Sequence, residues 1–212
     1  MLVLAGVDGG QGLFLVETVD ALERETQSGL DLTRRQARIR YADCPAVLLA
    51  EGGEAVAAVA AARDTAAVIL AAEAVGGAQR LVDMSVEYAR TRLQFGRAIG
   101  SFQAVKHRCA DMLVEVEHAR SAAYHAAFAA DDGTDADAAE PRIAADLATV
   151  VSAEAYLMVA KNTVQVHGGI GFTWEHPTHL YYKRAVSDAA LLGGRAAAAE
   201  RLAGAVLDQA SA

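Results

Sequence analysis

Three arginines lie close together around glycines in the middle of the chain, at Arg90, Arg92 and Arg97. The pattern around them predicts the end of one helix, a loop containing Gly96 and Gly100, and the start of a new helix. Arginine pairs with phosphate through parallel hydrogen bonds, and the free N–H groups at a helix start attract the same anion. The segment is therefore a candidate phosphate site. The alternative, which composition alone favours, is a solvated helix end whose arginines offset the helix dipole.

A second loop is rich in glycine, with Gly168, Gly169 and Gly171 between Gln165 and Pro177. Glycine lets a backbone pass close to another group, either a ligand or a neighbouring helix. The lysine and hydroxyl residue that complete a Walker-type phosphate loop do not follow these glycines. The loop therefore predicts a close backbone contact, which by itself is more often a tight connection between helices than a ligand site.

Helices must position both loops, because apolar residues recur at helical spacing from about residue 54 to the end. Beyond a first long helix, the pattern predicts four more, at about 102–130, 141–166, 178–192 and 196–210. Long helices joined by short polar loops are typical of an antiparallel bundle. We therefore expect a helical domain over residues 54–212.

Residues 1–53 predict a partial β-domain. A Gly- and Asp-rich segment separates Leu2–Ala5 from Leu13–Glu17, which is the signal of a hairpin. Further short strands are predicted at Leu30–Leu32 and Arg35–Tyr41. A few short strands are marginal alone and leave unpaired edges. We therefore expect them to complete a sheet with another chain, unless the chain is a fragment.

Composition excludes several classes of partner and site. The net charge of −8 argues against a nucleic acid or an anionic membrane as the main partner. No apolar stretch reaches the length of a membrane span without a charge, and the N-terminus does not resemble a signal peptide. Cys44 and Cys109 predict free thiols in a cytoplasmic protein. The six histidines do not have metal-ligand spacing.

The two loops together resemble the acyl-CoA dehydrogenase family. Their spacings are R-x-x-F-G-x-x-I-x-x-x-Q over 92–103 and Q-x-H-G-G-x-G-F over 165–172, followed by H-L-Y-Y-K-R over 179–184. The resemblance covers about residues 60–195. It implies a mainly α fold, in which an antiparallel four-helix bundle follows a few short strands of an incomplete β-domain.

The resemblance also implies a site for FAD, which lies between subunits in that family. Arg92 would contact the pyrophosphate, and Phe95 and Gln103 would flank the dinucleotide. The remaining predicted contacts bring backbone against the adenosine diphosphate half, at Gln165, Gly168 and Gly169. This half of the site would serve the flavin of a neighbouring subunit.

The sequence departs from the family at the catalytic base. Desaturation of an acyl-CoA requires a carboxylate that takes the α-proton, and the two positions where family members carry it correspond to Leu192 and Ala66. Glu73 shares the helix face of Ala66, about 10 Å along the axis, and is a weak candidate base. Asp64 is another, or by resemblance a contact to the pantetheine arm; Asp188 is also near.

The leading hypothesis is therefore an FAD-binding subunit of a heteromeric acyl-CoA dehydrogenase, whose base comes from a second dehydrogenase-like subunit. Such complexes act on sterol side chains and other bulky acyl-CoAs, and an electron-transfer partner is implied. The first alternative is a short, self-sufficient dehydrogenase, possible as a homo-oligomer, that uses Glu73 or Asp64. The second is a bundle without flavin that acts in assembly or regulation, and the third is a truncated product.

Overall fold

The computed structural model describes residues 1–17, 22–131 and 139–210. The chain divides into two compact units, residues 1–63 and residues 64–212. Short antiparallel strands and the start of a long helix make up the first unit, and the second is almost entirely helical. The domain limits of 1–53 and 54–212 stay a prediction, since one helix runs through this region.

Five strands are described in the first unit: β1 (Leu2–Val7), β2 (Gly10–Leu15), β3 (Glu23–Gln27), β4 (Gln36–Arg40) and β5 (Val47–Glu51). Strands β1 and β2 form the expected hairpin, in which Val7 pairs with Gly10. Gly9 in the turn has a φ of 95°, a conformation that glycine adopts without strain. Strand β5 pairs antiparallel with β2, and β3 pairs with β4 in a separate sheet.

The strand predicted at Leu30–Leu32 is wrong. The Asp31 carboxylate accepts hydrogen bonds from the Thr33 backbone N–H at 2.8 Å and from the Thr33 hydroxyl at 2.6 Å. Such local bonds fold the segment into a turn, because they satisfy backbone groups that a strand would pair with its neighbour. Strand β3, with the sequence ERETQ, gave no signal because it contains no apolar residue.

The helices are α1 (Gly52–Thr91), α2 (Gln103–Asp131), α3 (Ala139–His167), α4 (Thr178–Asp188) and α5 (Gly194–Ala210). Their positions agree with the predicted helices except at the end of α4, which stops before residue 192. Leu192 has a φ of 54° and lies in a 3₁₀ turn followed by two glycines with positive φ. A left-handed leucine cannot continue an α-helix.

Alanines and a few larger apolar side chains fill the core of the bundle. Leu81 of α1, Met112 of α2 and Val159 of α3 are fully buried in one cluster. The second cluster is largely alanine, which brings helix axes close together. The buried Ser85 and Thr163 hydroxyls join α1 to α3 through a 3.1 Å hydrogen bond. The protein is thus mainly α, with a C-terminal helical bundle after short antiparallel strands.

Two helical stretches, Gly52–Thr91 and Glu140–Phe172, are long and apolar enough to cross a bilayer by length and composition alone. Half of the apolar window in the second is buried within the protein, as in the core helix of a bundle. Among the described residues, no group of three or more His, Cys, Asp or Glu side chains is placed to hold a metal ion. Cys44 and Cys109 are free thiols.

Candidate functional site

A tight hairpin follows the end of α1. Strands β6 (Leu93–Gln94) and β7 (Arg97–Ala98) pair antiparallel across Phe95 and Gly96, whose φ angles are 52° and 74°. Two successive positive φ values are the geometry of a type I′ turn, which favours Asn or Gly at its first position. A phenylalanine there is strained, and Phe95 is also 91% exposed. Such strain at an exposed aromatic side chain suggests a functional role.

The hairpin leads into α2 through Phe102. The Arg97 guanidinium lies 4.1 Å from the centroid of the Phe102 ring, and Phe95 meets the same ring edge-on with centroids 6.1 Å apart. Gly100 allows a close approach here, because a Cβ at that position would lie 2.8 Å from the Ala89 carbonyl oxygen. Arg92 and Gln103, at the two ends of this segment, are both exposed.

The glycine loop follows α3 directly. Gly168 has a φ of 63°, and the chain then makes a 3₁₀ turn through Phe172. A Cβ at Gly168 or Gly169 would meet nothing within 4 Å, so the backbone here faces open space. Gly171 is packed inward, where a Cβ would lie 3.1 Å from the Val164 carbonyl oxygen. The loop therefore combines an inner glycine that packs with two outer ones that leave backbone accessible.

Three rings in contact connect the two loops. His167, at the end of α3, stacks on Tyr88 of α1 with centroids 4.5 Å apart, and it meets the tilted ring of His176 with centroids 4.4 Å apart. Arg92 lies one turn after Tyr88, and Gly168 directly follows His167. The stack thus brings the two predicted loops to the same end of the bundle. Sequence reasoning missed these rings, because the three positions are far apart in the chain.

Burial lowers the pKa values of two histidines in this region, His167 and His179. Burial lowers the pKa of His167, and the positive potential of His176 lowers it further, against a hydrogen bond to the Thr163 carbonyl that raises it. The pKa of His179 is also lowered, by desolvation and then by Lys183 and His176. The Lys183 ammonium lies 4.6 Å from the centroid of the exposed Trp174 ring.

The two positions where the resemblance predicts the family's base, Leu192 and Ala66, are apolar. Leu192 lies beside a cavity of about 20 Å³ whose wall includes Ala67 and Leu70 of α1 and Asp188 of α4. A cavity of this size holds a single water molecule. Tyr156 lines it as well, and the pKa of its hydroxyl is raised by burial and then by the Asp188 carboxylate. That hydroxyl therefore stays protonated.

Neither weak candidate base lines this cavity. Glu73 accepts a 2.7 Å hydrogen bond from Arg184 Nε and a shorter contact from the same guanidinium. Arg184 also lies 3.5 Å from Asp188, so one cation joins α4 to α1. Asp64, with 14% of its side chain exposed, lies 3.7 Å from Arg142 of α3.

Comparison with known proteins identifies the helical part. The family model of the acyl-CoA dehydrogenase C-terminal domain matches residues 55–207. The chain is 42% identical over 200 residues to the acyl-CoA dehydrogenase FadE34 of Mycobacterium tuberculosis, covering 91% of this chain and 27% of that protein. It is 43% identical over 167 residues to the acyl-CoA dehydrogenase IpdE2 of the same organism, covering 77% of this chain and 45% of that one.

Solved structures share the fold over nearly the whole chain. A variant of the Tcur3481-Tcur3483 steroid ACAD is 32% identical with a TM-score of 0.85, covering 100% of this chain and 56% of that one. The ChsE4-ChsE5 complex of Mycobacterium tuberculosis is 30% identical with a TM-score of 0.83, covering 97% of this chain and 55% of that one. The chain spans about half the length of these structures. On the family match and these identities, the chain belongs to the acyl-CoA dehydrogenase family, the flavoprotein oxidoreductases that its paired loops resemble.

Proposed function

We propose that the chain is an FAD-binding subunit of a heteromeric, cytoplasmic acyl-CoA dehydrogenase that desaturates an acyl-CoA at the α,β bond. The meeting of the two loops at one end of the bundle carries this proposal. Tyr88, one turn before Arg92, stacks on His167, the residue that precedes Gly168, and this contact supports a shared site. A dinucleotide requires such a combination of cation, aromatic side chain and open backbone.

The residues present fit this cofactor. The Gly168–Gly169 backbone has open space in front of it, Arg92 is exposed, and Phe95 projects from a strained turn. Arg92 would pair with the pyrophosphate, Phe95 and Gln103 would flank the dinucleotide, and Gln165 with the glycines would lie against the adenosine diphosphate half. FAD, when bound, supplies the acceptor for the hydride that leaves the β-carbon.

The proton acceptor comes from another polypeptide in this proposal. The side chains of Leu192 and Ala66, where the resemblance places the family's base, cannot take a proton. What this chain contributes is therefore binding and orientation of the cofactor, while a second dehydrogenase-like subunit provides the carboxylate for the α-carbon.

The relatives suggest the kind of complex. Two of the similar structures are named as pairs of proteins, Tcur3481-Tcur3483 and ChsE4-ChsE5, and the first is called a steroid ACAD. We infer a second, unlike subunit and a bulky, steroid-like acyl-CoA as the substrate class. A separate electron-transfer protein would reoxidise the flavin. A homo-oligomer remains the alternative assembly.

Two alternatives make different predictions. A self-sufficient dehydrogenase would use Glu73 or Asp64, but both carboxylates face arginines and neither lines the cavity beside Leu192. An assembly or regulatory bundle would carry no flavin at all.

Purification of the chain with and without a complementary dehydrogenase-like subunit tests these possibilities. We expect the complex to be yellow, with less than one FAD per chain because the site is shared, and to oxidise a steroid-like acyl-CoA. Turnover by the chain alone with FAD would contradict the need for a second subunit. A colourless complex would favour the assembly role.

Matched arginine variants test the cofactor contact. Arg92→Ala should weaken FAD binding by the complex about tenfold or more, because a charge-assisted hydrogen bond to phosphate is lost. Arg80→Ala removes an exposed arginine from α1, the helix that ends just before Arg92, and should leave FAD binding unchanged. Equal FAD affinities in the two variants would remove Arg92 from the site.

A further inference from the structure

The rings of Tyr88, His167 and His176 contact one another in series at the base of the glycine loop. His167 directly precedes residues 168–175 and His176 directly follows them, yet the two rings lie 4.4 Å apart, tilted by 43°. Tyr88 stacks on His167 at an interplanar angle of 22°. The rings therefore connect three segments: the last turns of α1, the end of α3 and the start of α4.

Hydrogen bonds fix the orientation of both imidazoles. His167 Nδ1 lies 2.8 Å from the Thr163 carbonyl oxygen, so this nitrogen carries a proton and donates it. His176 Nδ1 accepts from the Thr178 backbone N–H at 3.4 Å and contacts the Thr178 hydroxyl. Thr178 is fully buried at the first residue of α4, so His176 satisfies an amide that the helix leaves unpaired.

We propose that this ring stack is a clasp that fixes the conformation of the glycine loop against the end of α1 and thereby positions the loop for the cofactor. The inference rests on the proposed function only in its second part, the role toward FAD. Tyr88, His167 and His176 are positioning residues, since the open backbone of Gly168 and Gly169 is what would face the ligand.

The clasp depends on a neutral His167, whose pKa is lowered by burial. This ring faces Tyr88 from α1 and His176 from the loop, and His179 and Lys183 are further titratable or charged groups of the same region. A charge on His167 would be partly desolvated, which is unfavourable. Acid should therefore loosen the loop.

Four variants of the purified complex separate the role of the rings from simple loss of folding. His176→Ala removes one ring. His176→Phe keeps a ring but removes the nitrogen that accepts the hydrogen bond from the Thr178 amide. His167→Phe keeps a ring that cannot be charged. His118→Ala changes an exposed histidine of α2 as a matched control. For each protein we would measure amide hydrogen exchange over residues 165–178 and the dissociation constant of FAD as a function of pH.

We expect His176→Ala to speed exchange in this segment and to weaken FAD binding about three- to tenfold, which is the size of one aromatic contact. His176→Phe should recover most of both losses, and His118→Ala should change neither. In the wild type, FAD binding should weaken below about pH 6.5, the usual titration range of histidine. The dependence of FAD binding on pH should be weaker in His167→Phe than in the wild type.

Unchanged exchange in His176→Ala would overturn the clasp itself. Faster exchange with unchanged FAD affinity would leave a structural clasp and overturn its positioning role. A wild-type complex that binds no FAD would overturn the proposed function and with it the role toward the cofactor, while the exchange data would still decide whether the rings hold the loop.

Discussion

At the scale of single residues, Phe95 and Leu192 are the described non-glycine residues of the helical unit that have positive φ angles. Phe95 is in the loop proposed to meet the cofactor, and Leu192 is at a position where the resemblance predicts a base. A left-handed conformation costs a non-glycine residue about 1–2 kcal/mol. The sequence motif identified Phe95, but only the backbone shows that this residue has a left-handed conformation, which phenylalanine disfavours.

Phe95→Asn should raise the stability of the protein by about 1 kcal/mol while weakening FAD binding. Asparagine suits the first position of a type I′ turn, and the 91% exposed ring loses little buried area when removed. Thermal unfolding and FAD titration measure the two effects. Phe128→Asn, which replaces an exposed phenylalanine inside α2, serves as the control and should not stabilise. A less stable Phe95→Asn protein would show that the turn is not strained.

His167 predicts a dependence of stability on pH. Its pKa is lowered in the folded protein, first by burial, whereas in the unfolded chain it lies near 6.5. Between these values the unfolded state binds more protons, so the free energy of unfolding should fall as the pH drops below about 6.5. His179, shifted in the same direction, adds to this fall.

Urea unfolding at pH values from about 7.5 to about 5.5 measures this dependence. The loss of stability with acid should be smaller in His167→Phe than in the wild type, and unchanged in His118→Phe. Equal slopes in all three proteins would contradict a buried neutral His167.

At the scale of elements, Arg184 links α4 to α1 beside the apolar packing of Ala185. Arg184 contacts Glu73 across the two helices and Asp188 one turn along its own helix. The end of α4 leads into the turn that holds Leu192, so this attachment sets the wall of the cavity opposite Ala67 and Leu70. Glu73, a weak candidate for the base from sequence, forms an ion pair with Arg184 that holds the two helices together.

Glu73→Gln should lower the free energy of unfolding by about 1 kcal/mol, since the interhelical ion pair is partly buried but Arg184 keeps Asp188. Glu154→Gln is the matched control, because Glu154 and its partner Arg195, 2.9 Å away, are both more than half exposed. This variant should lower the free energy of unfolding by less. Chemical unfolding compares them. Abolished turnover by the complex of Glu73→Gln, without a change in stability, would instead make Glu73 the base.

At the scale of the molecule, the three-stranded sheet exposes apolar side chains. Leu2 on β1 is 64% exposed and Leu49 on β5 is 50% exposed, and β1 and β5 are the two outer strands of this sheet. Exposed apolar outer strands favour pairing with another chain. This agrees with a protein that spans about half the length of its relatives.

The chain alone should therefore self-associate, and Leu2→Lys or Leu49→Lys should reduce the associated fraction, because lysine on an outer strand opposes edge pairing. Val206→Lys, on α5, changes an equally exposed apolar residue away from the sheet and serves as the control. Light scattering at several protein concentrations measures the effect. Identical behaviour of all the variants would exclude the sheet as the site of association.

The sequence by itself determined the helices, the first hairpin and the two loops, because helical periodicity, an Asp-Gly turn and glycine spacing are local signals. It missed β3, which lacks apolar residues, and misplaced a strand at Leu30–Leu32, where the Asp31 side chain makes a turn. Only the tertiary structure decided that His167 contacts the rings of Tyr88 and His176, that Arg184 joins Glu73 to Asp188, and that a cavity lies beside Leu192. These features join residues far apart in the chain, so no local pattern encodes them.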